Sequence, residues 1–339
     1  MKKRLISTIA LLLLGALTVY VVSRQSASFT AEGFLDYVRS VKPWGLAAAF
    51  ACMLGFIAFE ALALLVICRA LGYSRHFCRG LTYSAADIYM SAITPSATGG
   101  QPASALLMMR DGIPAGVTTV TLLMNLIFYT PAILVVALAG GIMYPQAYSL
   151  FGVPGRIMIL LGILFQVVLE GGYLLLIFRK KVFLAIVDFF LHLGQKLHLV
   201  RNAESRREKL LKMEEEYHAC SKGIREHWRA MLAAFGLNFM QRISSVMVSV
   251  VLYLASGFPA RDAYKVFSLQ SLVILGSNSV PIPGAVGVAD YLFIDGYGML
   301  VQDPVNLELL SRTISFYTCI LVSILILAAA YFGGRHARK

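Results

Sequence analysis

Charge is scarce in this chain. Only 14% of its 339 residues are charged, against about 25% in a typical soluble domain, while 58% are hydrophobic. That balance excludes an ordinary soluble domain and describes an integral membrane protein. Cysteine is sparse as well. The five present (Cys52, Cys68, Cys78, Cys220, Cys319) show no C-x-x-C spacing, which argues against a disulfide framework or a thiolate metal site. Six histidines are scattered without ligand spacing, and there is no G-x-S-x-G, Walker or dinucleotide-binding pattern. No metal, nucleotide or other cofactor is therefore expected.

Long apolar runs are what the chain has instead. They fall at 5–23, 45–68, 117–139, 157–178, 230–255 and 313–332. Each is about 19–26 residues, enough for a helix to cross about 30 Å of hydrocarbon. The opening "MKKRLISTIALLLLGALTVYVVS" has the outline of a signal peptide, with "SAS" at 26–28 as a cleavage site. Its apolar core, from Leu5 to about Val22, exceeds the 7–15 residues usual for one, so a retained first span is expected.

The net charge of +12 invites a nucleic-acid reading, but its distribution points elsewhere. With the N-terminus taken as cytoplasmic, 21 of the 30 Lys and Arg fall in 1–4, 69–82, 179–229 and 333–339. Six fall in 24–44, 140–156, 256–263 and 303–312, and Arg110, Arg242 and Lys265 lie in membrane segments. This is the positive-inside pattern, with both termini cytoplasmic and no nucleic-acid partner expected.

Parity then constrains two less regular stretches. Were 83–113 a single crossing, the basic loop 179–229 would fall outside. The stretch reads "SAITPSATGGQPASALLMMRDGIP" at 91–114, and its arms, 83–93 and 103–109, are each too short to cross. It is predicted to enter and return from the cytoplasmic side. By the same argument 264–302, centred on "LGSNSVPIPGAVGVADYLF" at 275–293, returns to the outer side. The expected fold is an all-α polytopic membrane protein, a single membrane domain over 1–339 with about six full transmembrane helices and two re-entrant helical hairpins. The first half, about 5–178, holds hairpin 83–113. A cytoplasmic amphipathic loop at 179–229 follows, and the second half, 230–332, holds hairpin 264–302.

The two broken stretches share a pattern. Pro95-Ser96-Ala97-Thr98-Gly99 and Pro283-Gly284-Ala285-Val286-Gly287 place proline and glycine four residues apart. With opposite entry sides, they predict an inverted pseudo-repeat, and paired Gly/Pro-interrupted segments are the sequence pointer to a binding site in such transporters. Unpaired backbone groups in hydrocarbon cost several kcal/mol, so the breaks need polar partners. Candidate site residues on them are Thr94, Pro95, Gly99, Gly100, Gln101, Arg110, Asp111, Asn278, Pro281, Pro283, Gly284, Gly287 and Asp290. Glu60, Glu170 and Arg242 lie inside apolar spans, where charge is costly and marks a pathway or a paired interior site. Arg110 and Arg242 suit a phosphate, with the carboxylates meeting a cationic headgroup or a coupling proton. The alternatives are internal pairing, Arg242 with Glu170 for example, and snorkelling of Arg110 to the headgroups.

On "TPSATGGQPASALLMMRDG" at 94–112 and "PIPGAVGVAD" at 281–290, the chain resembles the lysylphosphatidylglycerol synthase transmembrane region, also described as a flippase-like domain, over about 5–332. Asp290 stands where many relatives are expected to carry glutamate. The resemblance implies a bacterial inner-membrane protein that moves a phospholipid, such as lysyl-phosphatidylglycerol, between leaflets and so confers resistance to cationic peptides. Larger members add a soluble aminoacyl transferase domain. This chain ends at Lys339 without it, so phosphatidylglycerol lysyltransferase activity is not expected of it alone. Expected partners are a membrane phospholipid headgroup, and a separate synthase or a second copy of the chain. The competing readings are a membrane component of a lysyltransferase and a non-transporting membrane scaffold.

Overall fold

The computed structural model describes residues 31–94, 97–178, 226–278, 280 and 282–336. Among the described residues all regular structure is helical. The elements are α1 (Ala31–Ser40), α2 (Pro43–Ala70), α3 (Phe77–Ile93), α4 (Gly100–Arg110), α5 (Ala115–Met143), α6 (Val153–Phe178), α7 (Trp228–Ala255), α8 (Ala263–Ser277), α9 (Val288–Tyr297), α10 (Pro304–Arg312) and α11 (Cys319–His336). A π-helical turn, Thr313–Thr318, joins α10 to α11.

Among the described residues five stretches are long and apolar enough to cross a bilayer: Pro43–Ala70, Ala115–Met143, Val153–Tyr173, Trp228–Ala255 and Pro304–Phe332. They correspond to five of the six expected runs and make this a multi-pass membrane protein. The sixth run, 5–23, lies outside the described residues, as does most of loop 179–229. Two boundaries differ from expectation. The last apolar helix begins at Pro304 and not at 313, because Glu308 and Arg312, which make 303–312 read as an aqueous loop, are buried at 3% and 8% exposure. Pro304 sits in its first turn, where a missing N–H is harmless, and Asp303 caps it by accepting the Val305 N–H at 3.3 Å. Likewise α3 begins at Phe77, inside the expected basic loop, because Gly80 lets it pack directly on Leu65 of α2.

The core is the antiparallel pair α2 and α7. Gly45 sits on Ala255 and Gly55 on Ser244, so small residues bring the backbones close, as is common where helices associate without a hydrophobic driving force. α5 lies parallel to α7, with Met124 and Val120 packed among Met231 and Ala234. α8 docks on α5 through the Ser268 hydroxyl, which donates to the Gly140 carbonyl at 2.7 Å. α6 crosses α8 where Gly162 rests on the Leu275 carbonyl. Its other face is exposed and apolar, with Ile157, Leu160, Leu161, Leu164 and Val168 all more than half exposed, the outward surface of a helix solvated by lipid.

Both interrupted stretches are helix–turn–helix units whose two arms are tied together by side-chain contacts at their far ends. α4 ends at Asp111, which accepts from Tyr83 at 2.7 Å and lies 3.2 Å from Arg79, while Arg75 donates to its carbonyl at 2.9 Å. That closes the first hairpin at the basic end of the bundle. α9 ends at Tyr297, whose hydroxyl donates to the Val266 carbonyl at 3.2 Å near the start of α8. Asp295 accepts the Gly152 N–H there at 2.9 Å, closing the second hairpin at the opposite end. At its entrance Lys265 bonds Asp262 at 2.7 Å and holds that carboxyl below the usual carboxylate range. At 17, 11, 15 and 10 residues, the four arms are about 26, 16, 22 and 15 Å long, each short of a crossing.

The α6–α8 contact gives a direct test. A Cβ at Gly162 would press into the Leu275 backbone, whereas one at Gly171 on the same helix meets nothing within 4 Å. Gly162→Ala is expected to destabilise the protein by about 1–3 kcal/mol through overpacking, seen as a lower melting midpoint in detergent. Gly171→Ala is expected to be neutral or stabilising by up to about 1 kcal/mol.

Candidate functional site

The turns between the hairpin arms share an unusual backbone. Among the described residues the non-glycine positions with positive φ are Ala97 (53°) and Ala285 (49°). Each lies two residues after the proline of its motif and two before a glycine that caps the next helix, Gly99 for α4 and Gly287 for α9. A left-handed alanine is uncommon, and its occurrence at the matching position of both motifs makes the short sequence likeness a structural one. The second break lies against the first hairpin: α3 packs against the turn Pro283–Ala285.

Freed backbone groups at the first break are met by side chains. Thr94 donates to the Met90 carbonyl at 2.7 Å and accepts the Gly99 N–H at 2.9 Å. Ser91 reaches both the Asp87 carboxyl at 3.0 Å and the Ala97 carbonyl at 3.3 Å. Glycine is required at position 100 because any Cβ would collide with Asp87 and Ser91. At the second break the Gly287 N–H donates to Asp290 at 2.8 Å. Asp290 stands in the first turn of α9, where the helix dipole favours an anion.

Two buried charged clusters flank these breaks, and each holds two carboxyls and one arginine. The first gathers Glu60 of α2, Asp87 of α3, Tyr129 of α5, and Gln241 and Arg242 of α7. Glu60 and Arg242 are 6% and 4% exposed. Gln241 donates to Glu60 at 3.0 Å, and Asp87 accepts from Ser91 at 3.0 Å. Arg242 stacks on Tyr129, its guanidinium carbon 3.5 Å from the ring centroid, with the Phe56 ring at 5.5 Å. Its Nε and Nη2 have no hydrogen-bond partner. One turn along α7, Asn238 donates to Asn125 at 3.0 Å and fixes α7 against α5.

In the second cluster Arg312 lies 3.0 Å from Asp290 and donates to the Gly284 carbonyl at 2.7 Å. Glu308, one turn before it on α10, is buried as well. Gly284 takes φ 61° with the Phe316 ring directly over it, so the π turn packs on the break. α2, which carries Glu60, packs against the π turn that follows Arg312.

The structure therefore brings together Glu60, Arg242, Thr94, Gly99 and Gly100 around the first break, and Gly284, Gly287, Asp290 and the half-buried Pro283 around the second. Gln101 is half-buried on α4, and Asn278 is exposed at the end of α8. Pro95 and Pro281 lie outside the described residues. Arg110 is exposed. Asp111 serves the hairpin closure. Glu170 lies partly exposed on α6 and makes no ion pair with Arg242, whose neighbours are rings. The sequence reading missed Arg312 and Glu308. Their signal was present in Asp303-Pro304 as a helix start with Glu and Arg at i, i+4, on a segment contiguous with the last span. An open groove at the basic end, lined by Arg69, Trp228 and Arg229, is a separate feature, about 20 Å along α7 from Arg242 at helical rise.

Removing Arg312 would leave two buried carboxyls without their cation. Arg312→Met is expected to cost about 3–5 kcal/mol, read as thermal or denaturant stability in detergent, while the exposed Arg110→Met stays within about 0.5 kcal/mol.

A search of curated proteins finds no significant match to the chain. The family described as lysylphosphatidylglycerol synthase TM region matches residues 5–326, a range that takes in both breaks, both clusters and every described apolar helix but the last turns of α11. With nearly its whole length so matched, this chain belongs to the lysylphosphatidylglycerol synthase TM region family.

Proposed function

We propose that the protein moves phospholipid headgroups between bilayer leaflets. The two hairpins act as re-entrant elements whose tips meet inside the membrane, and Arg242 takes the phosphate. The observation that carries this reading is the state of Arg242: a buried guanidinium with two nitrogens, Nε and Nη2, unfilled. A buried donor without a partner costs about 1–3 kcal/mol, more when charged, so an anion that fills those positions is bound with part of its lost hydration replaced. Phosphate matches the guanidinium fork. The Tyr129 ring holds the plane in place, and the Glu60–Asp87 pair beside it offers a cationic or hydroxyl headgroup its counterpart.

Family membership supports a lipid-related membrane role. The paired breaks support alternation of access by rocking one half against the other, and the tight burial of the cluster corresponds to a closed state between the two openings. The bacterial inner membrane, with both termini cytoplasmic, is the setting that the charge distribution favours.

The test is headgroup movement in proteoliposomes, followed by dithionite bleaching of labelled lipid, across anionic, zwitterionic and lysylated species. Wild-type protein is expected to expose inner-leaflet label. Loss of a charge-assisted bond of about 1.5–3 kcal/mol predicts movement slowed about 10- to 100-fold in Arg242→Ala, with Arg110→Ala close to wild type. Unchanged bleaching with folded wild-type protein would remove translocation and leave a scaffold or synthase-associated role. Aminoacylation of phosphatidylglycerol by the purified chain given lysyl-tRNA would establish the enzyme instead.

A further inference from the structure

The groove at the basic end of the bundle belongs to neither charged cluster. It encloses about 490 Å³, within the range of about 300–1,000 Å³ common for small-ligand sites. It lies between the last turn of α2 and the first turn of α7. Both helices are long and apolar enough to cross a bilayer, so a groove at their ends stands at the level of the lipid headgroups. Its floor is apolar: Val66, Ala70 and Ala230 line it and pack on Ile67 and Met231 beneath. Its rim is cationic and aromatic, formed by Arg69, Trp228 and Arg229, all exposed.

The rim is short of negative charge. Among the described residues neither Arg69 nor Arg229 makes an ion pair, whereas Arg75 and Arg79 at the same end are engaged by Asp111. The Arg229 guanidinium carbon lies 5.5 Å from the Trp228 ring centroid, within cation–π range, which steadies it at the rim. Glu226 and His227 complete the lining, so two guanidiniums face one carboxyl. Helix ends act in the same sense. α7 starts here, and its dipole favours an anion. α2 ends here, but its last carbonyls already accept from the Leu71, Gly72 and Tyr73 N–H groups and offer little to a cation.

We infer that this groove holds the phosphate of an anionic phospholipid from the adjacent leaflet, as a bound lipid that is not carried across. Charge complementarity and the apolar floor together name the occupant. The phosphate meets Arg69 and Arg229 as charge-assisted donors, and the upper acyl chain lies on Val66, Ala70 and Ala230, which free phosphate would leave bare. Trp228 sits at the depth where interfacial rings anchor a span. The positive-inside pattern favours the cytoplasm for this end, and the cytoplasmic leaflet is the anionic one. The groove is about 20 Å along α7 from Arg242 at helical rise, so it stands whether or not the protein translocates lipid. A lipid held by both walls ties the ends of the core pair α2 and α7 together.

Tryptophan emission gives the test. The chain has two tryptophans, Trp44 and Trp228, at opposite ends of the core pair, so in Trp44→Phe the emission reports the groove. The full chain is placed in nanodiscs of equal parts phosphatidylglycerol and phosphatidylcholine, with bromine on the acyl chains of one lipid at a time. Brominated phosphatidylglycerol is expected to quench Trp228 about twofold more than brominated phosphatidylcholine, as preferential occupancy by the anionic lipid requires. Arg69→Gln combined with Arg229→Gln is expected to remove the difference, and Arg229→Gln alone to remove part of it with one exposed side chain changed. The paired lysine replacements are expected to keep most of it, because a point charge still binds phosphate. Arg110→Gln, exposed at the same end, is expected to leave it unchanged. Equal quenching by the two lipids with both arginines present overturns the site. A preference that survives the double glutamine variant, or that Arg110→Gln removes as fully, overturns the groove in favour of diffuse attraction at the basic end. A preference abolished by inorganic phosphate and not by chloride at equal ionic strength overturns the lipid as occupant and makes this a free-phosphate site.

Discussion

Backbone polar groups released from a helix inside so apolar a bundle must find partners, and this constraint organises the molecule. At the first break the partners are Thr94 and Ser91. At the second they are Asp290 and Arg312. Satisfying the backbone brings carboxyls and arginines into the interior. Each then needs a counter-charge of its own, because isolated buried charge is far costlier than an unpaired amide. The breaks and the charged clusters are therefore one feature. Helix interruption creates the demand for polar side chains, and those side chains create a site.

Small residues make this geometry possible. Gly45 and Gly55 draw α2 and α7 together, which sets Glu60 beside Gln241 and Arg242. Gly100 lets α4 start against Asp87, and Gly284 lets the π turn lie on the second break. Tight packing also explains why the polar interior is occluded. The aromatic rings of Phe56 and Tyr129 occupy the space around Arg242, where rings and guanidinium attract one another, so the cation is held in place without being neutralised.

The two clusters suit different work despite equal composition. Around Arg242 the neighbours are rings and an amide-held carboxyl, which leaves donors open. Around Arg312 the neighbours are the Gly284 carbonyl, the Asp290 carboxyl and the Phe316 ring, which leaves the arginine engaged. Position alone would assign both to one role, and the hydrogen-bond partners separate them.

Composition, apolar run length and the bias of Lys and Arg were enough to determine an all-helical membrane protein, five described spans within a few residues, and two stretches where the helix is interrupted. These follow from local chemistry: hydrocarbon thickness sets helix length, and proline and glycine end helices wherever they occur. The likeness of the two motifs was also legible, and the left-handed Ala97 and Ala285 give it a backbone basis. Pairing was not legible. Arg242 and Glu170 look like equivalent buried charges along the chain, yet one is buried against Tyr129 and the other lies half-buried on α6. Arg312 and Glu308 read as loop residues because a charge near the end of a span has the sequence signature of an aqueous boundary. Only the fold, by laying α10 across the second break, turns them inward. Which charges meet depends on contacts between residues far apart in the chain, and no local pattern encodes that distance.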